Sequence, residues 1–351
     1  MNIKIFHGIF KEIDILNTIK ITSLVYGSGK NKELANAPVT DTNYIRNKHL
    51  NNPLGSSTRI FIQENSSRTG HIFIIPRAYF LTGKLHEFFV ASDLVSKSKT
   101  PGGGIFLFKE AQRLTKSQKK PLLNFSNIKS ERIYSSILRI QPILELDFSI
   151  LSFNFRNTVV PKKISLLKNR NTSQTKNINI IYKNRRIEFE KIETFDARTE
   201  KFLREKIPIE ENIGYRSSDI LNWRFTDSNK QKYTRLLIQM SGEIIGFTVL
   251  SEKIYMKRKF AVIVDSIVVN SNQKQMKLIK NKLLDIFPYV SAIIEIRNRN
   301  SESSVISQFR GLNVPRKLLP ERIRFYLSNI DPNLISYFNR AHLTLFDTDI
   351  L

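Results

Sequence analysis

The chain contains no cysteine, so disulfides and cysteine-based metal or thiol chemistry are excluded. It also lacks any apolar run of the length that a transmembrane helix requires. The first residues carry charges at Lys4, Lys11, Glu12 and Asp14 and have no long apolar core, unlike a signal peptide. These absences predict a cytoplasmic protein without a membrane-spanning segment.

Acidic residues are scarce: 31 Asp and Glu face 56 Lys and Arg, for a formal net charge of +25. The excess is spread along the chain, and no acidic residue lies between Asp147 and Glu188. A biased composition accounts for such basicity without any function, and the stretch then reads as a solvated connector. A strip facing phosphate, as in tRNA, or an anionic membrane surface is the alternative that the sequence leaves open.

The most informative stretch runs from Phe88 to Phe106. Phe88 to Val95 is apolar, rich in Phe and Val and of strand length, which predicts a buried strand. Gly102, Gly103 and Gly104 follow, and Leu107, Ala111 and Leu114 then recur at helical spacing. The pattern predicts a strand, a glycine loop and a helix.

A glycine loop at the start of a helix is suited to binding phosphate groups. Glycines allow positive φ and close backbone approach, and a helix start presents unpaired N–H groups to a phosphate or pyrophosphate. Lys97 and Lys99 add positive charge nearby. A plain tight turn explains the same residues, so the loop alone does not decide between the two interpretations.

A second copy of this pattern lies later in the chain. Phe260 to Ile267 matches Phe88 to Val95, with Asp265 under Asp93, and a helical spacing follows it. The segment 293–298 matches 122–127, and Trp223 falls under Asn47. These matches indicate a duplicated domain. Where the first copy has its glycines, the second has 272–275, Asn-Gln-Lys-Gln, so the sequence predicts a phosphate loop in the first copy only.

The spacing Lys99-x-x-Gly102-x-Gly104 resembles the Q/R-x-x-G-x-G/A acyl-CoA loop of the GNAT N-acyltransferase superfamily. Together with 221–225, 47–57 and the C-terminal HLTLFDTDIL, it resembles the tandem GNAT-like acyltransferases of bacterial surface-polysaccharide biosynthesis. The resemblance covers roughly 40–140 and 215–351. It implies an α/β (α+β) protein of two GNAT-like domains, each a mixed, mainly antiparallel sheet flanked by helices. We therefore predict an acyl-CoA-binding domain at 1–150, a basic connector at 151–210 and a degenerate domain at 211–351.

The resemblance further implies acyl transfer from acetyl-CoA or another acyl-CoA to an amine, on an amino sugar or a surface-polysaccharide precursor. Lys99, Gly102, Gly103 and Gly104 would hold the pyrophosphate, with N–H groups from Ile105 and Phe106. An aminoacyltransferase that uses aminoacyl-tRNA, and an inactive module that binds an anionic polymer, are the alternatives.

Three residues are candidates for the proton transfers of such a reaction. GNAT proteins often use as acid a tyrosine seven residues after an Asn, which here is Tyr134 after Asn127. Glu87 and Asp93 are candidates for the base, since burial would raise the pKa of Asp93. Core packing of Tyr134 and a structural role for Asp93, which recurs as Asp265, are the alternatives.

Two remaining features indicate no metal site. His49 and His86 are isolated in sequence and are predicted to lie in the core or on the surface. Asp347 and Asp349 form a pair without a further visible ligand, typical of a solvated or capping pair. The sequence therefore predicts no bound metal.

Overall fold

The computed structural model describes residues 3–26, 41–97, 102–126, 131–153, 178–182, 185–227, 232–255, 257–315 and 323–348. The strands are β1 (Ile3–Ile9), β2 (Thr58–Glu64), β3 (Ser67–Leu81), β4 (Lys84–Ser96), β5 (Leu122–Ser126), β6 (Pro142–Glu145), β7 (Asp147–Phe153), β8 (Ile178–Tyr182), β9 (Arg185–Ile192), β10 (Ile213–Gly214), β11 (Tyr233–Met240), β12 (Glu243–Tyr255), β13 (Arg258–Val268), β14 (Ala292–Arg297), β15 (Leu312–Asn313) and β16 (Arg324–Ser328). The helices are α1 (Ile15–Tyr26), α2 (Thr42–His49), α3 (Gly103–Ser117), α4 (Ala197–Lys206), α5 (Ser218–Arg224), α6 (Gln273–Ile286) and α7 (Pro332–Arg340). None of these helices combines the length and the apolarity that crossing a membrane requires.

The strands form two mixed sheets. The first has the order β1-β2-β3-β4-β5-β16-β6, with β10 beside β3, and the second has the order β15-β7-β14-β13-β12-β11-β9-β8. Within each sheet the neighbours are antiparallel except for one parallel pair, β4 with β5 and β13 with β14. Helix α3 follows β4 and α6 follows β13 as crossover connections to those parallel partners. The predicted α/β architecture of two mixed, mainly antiparallel sheets with helices is confirmed.

The local predictions around the glycine loop hold in detail. Phe88 to Val95 lies inside β4, and the helix begins at Gly103. The strands β2 and β3, which precede β4, form a hairpin. Only Asn65 and Ser66 separate β2 from β3, and both have positive φ, of 45° and 67°. A two-residue turn with two positive φ values matches the twist of the strands that it joins.

The two halves exchange their last strands. The strand β7, from the first half, lies between β14 and β15 of the second sheet, and β16, from the second half, lies between β5 and β6 of the first. In addition, β9 and α4 occupy part of the predicted connector 151–210. The predicted boundaries at 150 and 210 thus do not coincide with the sheets, because each sheet takes strands from both halves. The most basic part of that connector, 154–177, lies outside the described residues.

The halves meet at residues that the internal repeat aligns. Trp223 Nε1 donates to the carbonyl oxygen of Asn47 at 2.7 Å, and Asn47 Nδ2 donates to the carbonyl oxygen of Trp223 at 2.9 Å. Equivalent residues that contact one another reciprocally indicate an approximate two-fold axis between α2 and α5. One continuous apolar core includes side chains of both sheets, among them Phe73 of β3 and Phe247 of β12. Helix α3 packs on the outer face of the first sheet and α6 on the outer face of the second. Each contact is a separate cluster of buried apolar side chains.

Candidate active site

The start of helix α3 is open to a ligand. Gly102 caps the helix in the left-handed conformation, with φ of 86°, and provides no side chain to bond the first N–H groups. Among the described residues, a Cβ atom on Gly104 would meet only Leu94, at 3.9 Å, so the space beside Gly104 is largely open. Gly103 is buried, Ile105 is half-buried and Phe106 is exposed. The predicted partner Lys99 lies outside the described residues.

The equivalent helix of the second half begins differently. Asn272 caps α6 and accepts hydrogen bonds from the backbone N–H groups of Lys274 and Gln275, at 3.1 and 3.0 Å. The side-chain oxygen of Gln275 in turn accepts a hydrogen bond from the backbone N–H of Asn272, at 2.8 Å. The two residues thus form a capping box. In α3 no side chain of the described residues accepts from the first N–H groups, and the predicted donors Ile105 and Phe106 bond instead to the carbonyl oxygen of Gly102, at 2.8 and 3.0 Å. The sequence difference between the two loops corresponds to this difference in free backbone donors.

A gap opens beside α3 where β4 and β5 diverge. The two parallel strands pair only at Phe89 with Leu122 and at Val90 with Leu123. Beyond these pairs β4 continues to Ser96 while β5 ends at Ser126. Within the described part of the chain, no strand pairs with this edge of β4 beyond Val90. Such an edge can pair with an extended ligand that carries amide groups.

Tyr134 lies on the α3 face of the first sheet. It belongs to a π-helical turn, Ile133–Ile137, and is 9% exposed. Its ring stacks on Tyr326 of the exchanged strand β16 at 4.6 Å and contacts the edge of Phe108 of α3 at 5.4 Å. Burial, with a smaller effect of Tyr326, raises the pKa of the Tyr134 hydroxyl above its usual range. The hydroxyl therefore keeps its proton at neutral pH. Asn127 lies outside the described residues.

Asp93 lies at a β-bulge in β4, with φ of 48°. Its side chain bonds to residues of α2, on the face of the sheet opposite to α3. Its carboxylate accepts from Lys48 Nζ at 3.1 Å and lies 3.0 Å from His49 Nε2. Burial alone would raise the pKa of Asp93, but the Lys48 charge and the bonds from both side chains outweigh it. The pKa is therefore held well below its usual range. The predicted rise was wrong, because the sequence did not show the cation supplied by α2.

His49 connects Asp93 to Ser57. Its Nδ1 lies 3.1 Å from Ser57 Oγ, so the three side chains form a continuous chain of hydrogen bonds. Ser57 and His49 are 0% and 1% exposed, and Phe73 stacks on the imidazole at 3.9 Å. In this chain of bonds Ser57 orients the His49 imidazole, and His49 in turn orients the Asp93 carboxylate. Of the core and surface positions that the sequence left open for His49, the structure has the core position.

Glu87 is not brought to this site. It lies six residues before Asp93 on the same strand, which at ~3.3 Å per residue places it roughly 20 Å away. Its side chain is 66% exposed and forms an ion pair with Lys120 beside the start of β5. That end of β4 is opposite to the end that leads into the glycine loop. Glu87 is therefore poorly placed to act as a base for chemistry beside α3.

In the second half the residue equivalent to Asp93 is Asp265, and neighbouring side chains occupy its carboxylate. Arg216 donates to both oxygens of Asp265, at 2.9 and 3.0 Å, and to Asp347 at 3.0 Å. Thr344 also donates to Asp265, at 2.8 Å. All four residues are almost completely buried, and they fix residues 344–347 against β13. Burial raises the pKa of Asp347, with Arg216 opposing the rise.

The network includes Asp347, one of the two carboxylates that were considered as possible ligands for a cation. Asp347 is occupied by Arg216, and Asp349 lies outside the described residues. Within the described part of the chain, no three His, Asp or Glu side chains are grouped so that they could hold a metal ion.

Comparisons with known proteins give structural relatives only. No family model and no curated protein matches the chain. A GCN5-related N-acetyltransferase from Anabaena variabilis is similar over 93% of this chain and 73% of its own, with a TM-score of 0.55 and 10% identity. Saccharomyces cerevisiae N-myristoyltransferase with bound myristoyl-CoA is similar over 96% of this chain and 88% of its own, with a TM-score of 0.53 and 11% identity.

A tandem GNAT protein from the clavulanic acid biosynthesis pathway is similar over 93% of this chain and 98% of its own, with a TM-score of 0.50 and 8% identity. At these identities the similarity establishes the fold. A strand that leads through a crossover helix to a parallel partner occurs twice in one chain, with exchanged last strands. The chain therefore has the fold of the GNAT acyltransferases, in its tandem form.

Proposed function

We propose that the protein is an N-acyltransferase that moves an acyl group from acyl-CoA to an amine, using the first half. The observation that supports this most strongly is the uncapped, glycine-started helix α3 beside the gap between β4 and β5. Its free N–H groups and dipole suit a pyrophosphate. The open edge of β4 suits the two amides of the pantetheine arm.

The two candidate residues lie on opposite faces of the first sheet. In the proposed reaction the amine attacks the thioester carbonyl, the carbon–sulfur bond breaks and the thiolate leaves. Tyr134, on the α3 face with its proton retained, donates that proton to the thiolate. Asp93, on the α2 face, stabilises the positive charge that develops on the attacking nitrogen. Because its pKa is lowered, Asp93 is a weak base, and the amine proton passes to water, from which Tyr134 regains the proton that it donated.

The proposed donor is an acyl-CoA and the proposed acceptor is an amine. We take acetyl-CoA as the first donor to test, with myristoyl-CoA as the long-chain comparison. An amino sugar or surface-polysaccharide precursor is the acceptor that the sequence resemblance implies. Nothing in the described residues favours aminoacyl-tRNA, since most of the basic strip lies outside them.

The stoichiometry of CoA binding tests the assignment to the first half. We expect one CoA per chain, because the α6 start is occupied by Asn272 and Gln275. Isothermal titration with CoA measures the number directly. Replacing Asn272 with serine is the matched control: serine also caps helices, so the α6 start should stay occupied and the stoichiometry should stay at one. Two equivalent sites per chain would contradict the assignment.

Substitution of Tyr134 by phenylalanine tests the acid. The ring contacts with Tyr326 and Phe108 remain, so the fold and the affinity for CoA should change little. The rate of thiol release from acetyl-CoA should fall by about 10²–10⁴-fold, the usual contribution of a positioned acid. Tyr326→Phe is the control, since it removes a neighbouring hydroxyl on the same face. An unchanged rate in Tyr134→Phe would exclude this tyrosine as the acid.

A further inference from the structure

A group of charged and polar side chains on the α2 face of the first sheet is incompletely satisfied. It contains Arg59 of β2, His71 of β3 and Arg68, which lies beside Asp14. Arg59 and His71 are 2% and 0% exposed. Arg59 Nε and Nη2 and both ring nitrogens of His71 have no hydrogen-bond partner. Buried polar groups are normally paired, so each of these four atoms calls for an explanation.

The group adjoins Asp93. Phe73 contacts the ring of His71 at 5.1 Å and stacks on His49 at 3.9 Å, which places both histidines around one ring. His49 in turn bonds to Asp93. The charges of Arg59 and Asp93 both act on His71. The unsatisfied atoms therefore lie next to the place where the proposed amine would meet the acyl group.

The charges of the group favour an anion. Arg59 and Arg68 carry two positive charges and share one carboxylate, that of Asp14. Asp14 is shared between two arginines, with its Oδ1 at 3.4 Å from Arg59 and 2.8 Å from Arg68. Burial, with a smaller effect of Arg68, lowers the pKa of Arg59 to about 10, so the guanidinium stays charged at neutral pH. One positive charge is thus left without a carboxylate, on a residue with two unused donors.

His71 fits the same ligand. Burial and the Arg59 charge lower the pKa of His71 to about 3, so the ring is neutral and carries one N–H donor. A neutral donor beside a guanidinium completes a set that a carboxylate or phosphate oxygen can accept from. An uncharged ligand would leave the guanidinium charge unbalanced.

We propose that Arg59 and His71 bind an anionic group, a carboxylate or a phosphate, carried by the amine acceptor. This inference rests on the proposed acyl transfer for its substrate and deepens it by naming an acidic amine as the substrate class. The binding itself does not require any turnover, so it can be tested separately.

Matched pairs of amines provide the test. 4-Aminobutyrate is compared with butylamine, and phosphoethanolamine with ethanolamine, by titration calorimetry in the presence of desulfo-CoA. The wild type should bind at least one anionic member tenfold or more tightly than its neutral partner. That factor corresponds to about 1.4 kcal/mol. The pair with the larger ratio distinguishes carboxylate from phosphate.

Arg59→Met keeps the length of the side chain and removes the charge and the donors. It should abolish the preference for the anionic member and leave the affinity for the neutral amine unchanged. Arg113→Met is the matched control, because Arg113 is 66% exposed on α3 and pairs with Glu110. The control should keep the full preference. If Arg59→Met does not fold, His71→Phe should reduce the preference while retaining the aromatic contact with Phe73.

The outcomes separate this inference from the proposed function. Equal binding of anionic and neutral amines by the wild type would overturn the inference, even if acetyl-CoA is turned over. A preference that Arg59→Met retains in full would overturn it as well. A preference that depends on Arg59 would support it, even if no thiol release from acetyl-CoA is observed and acyl transfer fails.

Discussion

Replacement of Gly104 by aspartate is expected to weaken CoA binding by about a hundredfold and to leave helix α3 folded. Gly104 is the second residue of the helix, and only Leu94 lies near the position of its missing Cβ. A carboxylate there would occupy the donors and repel the pyrophosphate. Charge-assisted hydrogen bonds contribute about 1.5–3 kcal/mol each, so the loss of two accounts for a hundredfold or more. Titration calorimetry with CoA measures the change.

The aspartate also makes the result specific. A negative charge in the first turn stabilises a helix by about 0.3–1 kcal/mol, so reduced binding cannot come from a weaker helix. Gly104→Ala is the control: its methyl group would touch Leu94 at an ordinary distance of 3.9 Å and carries no charge. It should retain most of the affinity. A folded aspartate variant that binds CoA like the wild type would rule out the pyrophosphate site.

The second large effect is on stability, at the buried Arg216. Arg216→Met would leave Asp265 and Asp347 without their shared cation in a site that water does not reach. Removing one partner of a buried ion pair usually costs about 3–5 kcal/mol, because an uncompensated charge remains. We expect a loss of that size in the free energy of unfolding from urea titration.

The control for Arg216→Met is a substitution of the same kind at an exposed pair. Arg340 lies 3.3 Å from Glu302 with 44% of its side chain exposed, and such surface pairs contribute less than about 1 kcal/mol. Arg340→Met should therefore be nearly neutral. The double variant Arg216→Met with Asp265→Asn should recover part of the lost stability, since it removes one of the stranded charges. Equal stability of Arg216→Met and the wild type would show that the carboxylates are neutral in the folded protein.

The sequence predicted the features that depend on neighbouring residues. The apolar run from Phe88 to Val95, the glycines and the helical spacing after them are local signals, and β4 and α3 follow them. The internal repeat extended the prediction to β13 and α6, because both copies keep the spacing that packing requires. The reciprocal contact of Asn47 with Trp223 agrees with that alignment.

The strand exchange could not be predicted in the same way. The alternation of apolar residues in Phe325 and Leu327 fits a strand of either sheet, since both have one face against the shared core. The choice depends on contacts between residues almost two hundred positions apart, such as Phe325 with Phe125. No local pattern records such a pairing.

The partners of Asp93 show a similar limit at the site. Its pKa is set by Lys48 and His49, which precede it by 45 and 44 residues. The repeat contained one signal that could have indicated them, because Lys48 aligns with Arg224 and His49 with Phe225. Arg59 and His71 gave no sequence signal of their own, since an arginine and a histidine on strands usually point to solvent.

The exchanged strand β16 also has a consequence for synthesis of the protein. The first sheet has an open position between β5 and β6 until residues 324–328 have left the ribosome, about two hundred residues after β5. At roughly 5–20 residues per second this interval lasts about 10–40 s. During that time β5 exposes an unpaired edge, the kind of surface on which nascent chains aggregate. The first half of the chain, although made first, can be completed only when nearly all of the chain exists, so nascent copies should depend on chaperones for that interval.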